Sequence, residues 1–167
     1  MFMHMCKNIS HHRQRLALTC GPAQKLSVTK LGIKLNFGAA GNDAIALSGL
    51  LLIPDGFTVA GQTVIVNIGG VVKAFTLDAK GKSPKGNDSL AVGVKAGKTG
   101  TPLQIAKFAV KLMKGTFAAA LADDGLVNAT TTAQVTVPVT VIFNGEVLKK
   151  AMPQSYKATA GKGGATK

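Results

Sequence analysis

The chain has 167 residues, 46% of them hydrophobic, enough for one domain with a real core. Lys plus Arg number 20 against 7 acids, a formal charge of +13, and the long apolar run of about 18 residues that a membrane-spanning helix needs is absent. Aromatics are only 5%, with no Trp and the single Tyr156, so the core must come from Val, Leu, Ile, Ala and Phe.

Residues 1–20 hold both cysteines, all three histidines and both arginines. His4, Cys6, His11, His12 and Cys20 match no common zinc spacing, and Leu16-Ala17-Leu18 is too short an apolar run for a secretory signal. The expectation is a basic, disordered leader at 1–20. From Gly21 onward there are 17 Lys, 7 acids and no Arg, leaving +10. Lysine without arginine suits solubility and blunted sheet edges better than two-pronged recognition of bases or phosphates.

From Lys25 onward, short runs alternate apolar and polar residues, the period of a half-buried strand. Ile33, Leu35 and Phe37 alternate with Lys34 and Asn36, and a Gly38–Asp43 turn follows. Ile45 to Ile53 forms the next run, closed by the turn Pro54-Asp55-Gly56. Val64, Val66 and Ile68 lead through Gly69-Gly70 into Val71–Leu77, and 80–88 is a polar loop. Leu90, Val92 and Val94 precede a turn at Lys95–Gly100. Phe108, Val110 and Leu112 then oppose Lys107 and Lys111.

Residues 116–125 break the period. The Ala-rich stretch predicts a short helical segment near 116–124, with Thr116 as N-cap and Gly125 as its stop. The strongest local signal comes next. Val135, Val137, Val139, Val141 and Phe143 alternate with polar residues, Asn144-Gly145 follows, and Val147 resumes. A strand, Asn-Gly and a strand predict a hairpin with a type I′ turn. Pro138 lacks a ladder donor, which predicts an edge strand or a bulge. The Gly, Lys and Ala stretch 159–167 is expected as a flexible tail. Turn signals recurring between short strands point to an all-β, antiparallel sandwich or barrel of about nine strands, with the domain over 21–158.

Leu35-Asn36-Phe37-Gly38, Gly41-Asn42-Asp43, Thr76–Lys82 and Phe117–Leu126 resemble turn motifs of bacterial β-sandwich domains of the immunoglobulin-like kind found in cell-surface and secreted proteins. The resemblance covers about Lys25 to Lys167 and implies an immunoglobulin-like sandwich in an extracytoplasmic setting. It implies no catalytic residue.

No histidine or cysteine follows Cys20, so a Ser-His-Asp or Cys-His site has no partners in the folded region. Glu146, the only Glu, follows a hairpin turn and reads as solvated. Asp123, Asp124 and Asn128 lack the Asp-x-Asp-x-Asp-Gly spacing of a calcium loop. Asp43, Asp55, Asp78 and Asp88 fall at turns or strand ends, where the side chain bonds nearby backbone. Asn87-Asp88-Ser89 and Asn128-Ala129-Thr130 match the short glycosylation sequon. No catalytic, cofactor or metal site is expected. The expected function is a non-enzymatic structural or interaction module of the bacterial cell exterior, with an unknown protein or polyanionic surface as partner. The alternative is weak, sequence-independent binding of nucleic acid or acidic polysaccharide through surface lysines, with no specific nucleic acid. Lysines gathered on one face would favour that alternative.

Overall fold

The computed structural model describes residues 25–94 and 102–167; the leader at 1–20 and the Lys95–Gly100 turn lie outside the described residues. The expected alternation is realised as nine strands. They are β1 (Leu26–Asn36), β2 (Asp43–Pro54), β3 (Thr63–Ile68), β4 (Val71–Thr76), β5 (Asp88–Val94), β6 (Leu103–Gly115), β7 (Thr131–Phe143), β8 (Glu146–Thr159) and β9 (Gly163–Thr166). All pairings are antiparallel, in one sheet of order β4-β3-β7-β8-β9-β1-β2-β6-β5.

That sheet curls until its two ends nearly meet. The chain leaving β4 turns back so that Lys82 bridges Ala91 of β5, and the Lys73 ammonium of β4 pairs with Asp88 of β5 at 2.7 Å. The result is all-β and nearly barrel-shaped, with the pairing continuous through nine strands. Asp78 makes the return turn possible: its Oδ1 accepts from the Lys80 and Lys82 N–H groups at 2.8 and 2.9 Å. Those two bonds hold the Asp78 carboxyl below its ordinary pKa, the Lys82 bond most strongly.

The inward residues fill the interior. Val137, Val139, Val141 and Phe143 are all buried, as the period predicts, together with Ile33, Leu47, Val66, Phe108 and their neighbours. Each fully buried side chain of this size contributes on the order of 1.5–3 kcal/mol. Phe57, in the loop after β2, packs edge-on against Phe143 with ring centroids 5.4 Å apart, covering one end of the barrel. Tyr156 is fully buried and donates its hydroxyl to the Val127 carbonyl at 3.0 Å; burial pushes its phenol pKa up. Its ring lies where a side chain on Gly164 would go, so β9 packs flat against it.

Helix α1 (Ala118–Leu121) and a 3-10 turn (Ala122–Asp124) lie across the opposite end, burying Phe117, Leu121 and Leu126. Gly125 stops the segment at φ 87°, as expected, but Thr116 is not the cap. The cap residue is Phe117, without a side-chain bond. Asp43 supplies the acceptor from the start of β2 instead: its Oδ2 takes the Phe117 and Ala118 N–H groups at 2.6 and 3.1 Å, and its Oδ1 takes the Asn36 N–H at 2.7 Å. A distant carboxylate thus replaces the local hydroxyl, which a short-range capping rule does not see.

Two other expectations are corrected. Pro138 lies in an interior strand, paired with Ala151 in an unbroken β7–β8 ladder. It is tolerated because β3 reaches only Val139 on the other side; beyond that the Pro138 carbonyl accepts from Gly69 in the hairpin loop. The missing N–H faces the place where the ladder has ended. And Gly163–Thr166, within the stretch expected as a flexible tail, form β9 between β1 and β8. Asn144 and Gly145 do form the predicted hairpin turn, at φ 52° and 71°.

Candidate functional site

The outward positions of the strands divide the lysines unevenly. On β2 these positions are Ala44, Ala46, Ser48 and Leu50, between the buried Ile45, Leu47, Gly49 and Leu51. Strand β1 lies on one side and β6 on the other, in a fixed register. Ala44 sits between Lys34 and Met113, Ala46 between Gly32 and Lys111, Ser48 between Lys30 and Ala109, and Leu50 between Ser27 and Lys107. Reading along β2, the lysine therefore falls alternately on β1 and on β6. Lys34, Lys111, Lys30 and Lys107 make a zigzag over Ala44, Ala46 and Ser48, with Leu50 at the Lys107 end.

Strand geometry sets the scale. Successive outward residues are about 6.7 Å apart, β1 and β6 lie about 10 Å apart across β2, and the run from Ala44 to Leu50 is about 20 Å long. Lys157 of β8 extends the pattern sideways, since Ala165 lies between it and Lys34. On the other flank, Thr29, Ser48, Leu50, Gly93, Lys107 and Phe108 are among the residues that line a shallow hollow. The β1 bulge between Val28 and Lys30 brings the Thr29 hydroxyl to 3.3 Å from that of Ser48.

None of the seven acids occupies an outward position of β1, β2 or β6. Asp43 is buried, and Asp88 is paired with Lys73. Glu146, expected to be solvated, pairs with Lys25 across the mouth between β1 and the β7–β8 hairpin. Asp55 and Asp78 are in turns, and Asp123 and Asp124 end the helical segment. Among the described residues no carboxylate pairs with Lys30, Lys34, Lys107 or Lys111. The opposite outer face contrasts with this one. Ala74, Ile65, Ile142 and Val147 line up across β4, β3, β7 and β8 as an uncharged row, with Lys149 the cation near it.

The other candidates from the sequence are not brought together. Asn128 Oδ1 accepts from the Gly161 N–H at 2.8 Å, and one buried oxygen of Asp124 has no hydrogen-bond partner among the described residues. Burial and the adjacent Asp123 raise the Asp124 carboxyl pKa. No group of three or more His, Cys, Asp or Glu able to hold a metal ion occurs among the described residues. No helix there is long and apolar enough to cross a membrane. Comparison with known proteins gives no relative: no protein-family model, no curated protein and no solved structure matches the chain.

Sequence reasoning placed Lys34, Lys107 and Lys111 on strands but missed the trough itself. The available signal was the repeated spacing of four in Lys30/Lys34 and Lys107/Lys111, which puts each pair on one face. The missing information was that β2 lies between them.

Proposed function

We propose that the protein is a non-enzymatic binding module that holds a linear polyanion along β2. The observation that carries this reading is the zigzag of Lys34, Lys111, Lys30 and Lys107 over Ala44, Ala46 and Ser48, on a face without acids. Lysine ammoniums there act as point charges whose attraction needs no base sequence, only a charged chain lying within reach. Over Ala44, Ala46 and Ser48 that chain can approach the sheet closely, with Leu50 standing at the Lys107 end. The setting at the bacterial cell exterior and the immunoglobulin-like kinship belong to the same proposal and rest on the turn motifs of the sequence. So does the sandwich reading.

The test is a titration against heparin at two salt concentrations. Four contacts, each releasing most of one counterion, predict a slope of log K against log salt near −3. Changing Lys30, Lys34, Lys107 and Lys111 to Gln should remove most of that slope. Changing Lys80, Lys85, Lys149 and Lys162 to Gln, with the same loss of charge, should leave most of it. Equal effects of the two sets would mean that net charge alone attracts the ligand, and would remove the site.

A further inference from the structure

We infer that the chain held along β2 is an acidic polysaccharide, carboxylated or sulfated, and not a nucleic acid strand; this rests on the polyanion reading above. The first ground is the alternation. Lys30 and Lys34 stand on the β1 side of the trough, Lys107 and Lys111 on the β6 side, and their levels along β2 interleave. Such an array is complementary to a polymer with anionic groups on both edges. A single nucleic acid strand carries its charge along one edge and its bases along the other. Laid on β2 with its phosphates toward Lys30 and Lys34, it would turn uncharged bases toward Lys107 and Lys111.

The second ground is the floor. The outward residues of β1, β2, β5 and β6 include no aromatic ring. Phe75, Phe108, Phe143 and Tyr156 are all buried in the core. Single-strand binders draw much of their affinity from bases stacked on exposed rings, and the one ring that borders the hollow on this face, Phe108, is only 3% exposed. This face offers instead the hydroxyls of Thr29 and Ser48 beside Ala46 and the apolar side chain of Leu50, a mixed surface suited to the flat side of a sugar ring. A duplex is rigid and would touch the convex outside of a curled sheet over a short arc only.

Two paired variants separate the cases. Lys30→Gln with Lys34→Gln clears the β1 edge; Lys107→Gln with Lys111→Gln clears the β6 edge. All four side chains point outward, and circular dichroism and the melting temperature are measured first to check that each variant folds. Affinities are measured by fluorescence anisotropy for a heparin oligosaccharide, an oligogalacturonate, an oligo-dT and a DNA duplex of similar total charge. The expected result is tighter binding of both oligosaccharides than of either DNA, with each paired variant weakening them to a similar extent, roughly tenfold. Tighter binding of oligo-dT or duplex, or a loss confined to one edge, would overturn the polysaccharide assignment while leaving the polyanion reading in place. If all four probes fail to bind, or bind the wild type and a variant lacking all four lysines alike, the polyanion reading falls, and this inference with it.

Discussion

Replacing Asp43 by Ala should be the most damaging single polar substitution in the described fold. The side chain is 2% exposed and accepts three backbone N–H groups, from Asn36, Phe117 and Ala118. It joins the end of β1, the start of β2 and the first turn of the segment that covers the barrel end. A hydrogen bond to a charged acceptor contributes about 1.5–3 kcal/mol, and a buried donor left without a partner costs about 1–3 kcal/mol. The Phe117 N–H is the fully buried one, while the Asn36 and Ala118 donors are partly buried and recover part of their loss to water. The expected total is about 3–5 kcal/mol, a large share of the 5–15 kcal/mol that holds a typical domain together. Asp43→Asn keeps one acceptor oxygen but turns an amide nitrogen toward a donor, so it should cost about 2 kcal/mol or more. Urea unfolding gives both values, and hydrogen exchange should quicken first at Phe117 and Ala118. A loss under about 1 kcal/mol for Asp43→Ala, or unchanged exchange at those amides, would refute the claim that a distant carboxylate caps this segment.

Three further outcomes are expected. Val139→Asp puts an unpaired charge where the native side chain is 1% exposed and should cost several kcal/mol, whereas Thr140→Asp, on the outer face, should stay within about 1 kcal/mol; equal losses in urea unfolding would contradict the alternation. Gly145→Val meets no neighbouring atoms but must adopt φ 71°, so backbone strain alone should lower stability by about 1–2 kcal/mol; a neutral change would contradict the turn. Burial raises the Asp124 carboxyl pKa above its reference value of 3.8, so its contribution is present below that reference and is lost as pH rises through the folded value. Asp124→Asn should therefore raise the melting temperature at neutral pH, and the difference should vanish in acid; a lower melting temperature at neutral pH would contradict this sign.

What was legible in the sequence is what local rules govern. Alternation put Val137 to Phe143 inside, and Asn144-Gly145 marked the tightest turn, because both depend on residues close in the chain. What was not legible depends on partners far apart. The cap on Phe117 comes from Asp43, 74 residues away. The 163–166 strand has no period of its own and is held because β1 and β8 offer it a place, with the Tyr156 ring filling the space its glycine leaves. Pro138 read as an edge signal because the rule concerns one missing donor, and only the length of β3 tells where that donor would have pointed. The lysine trough has the same origin. Each pair of lysines was visible, but the β1–β2–β6 order that interleaves them arises from a long connection between β2 and β6.

The most direct measurement is a residue-resolved map of binding. Amide chemical shifts of labelled protein, titrated with a heparin oligosaccharide at low salt, report which face meets the ligand. Shifts concentrated on Ala44, Ala46, Ser48 and Leu50 and on the flanking Lys30, Lys34, Lys107 and Lys111, fading as salt rises, are the predicted result. Shifts centred on the uncharged row of Ile65, Ala74, Ile142 and Val147, or spread evenly over all the exposed lysines, would contradict it.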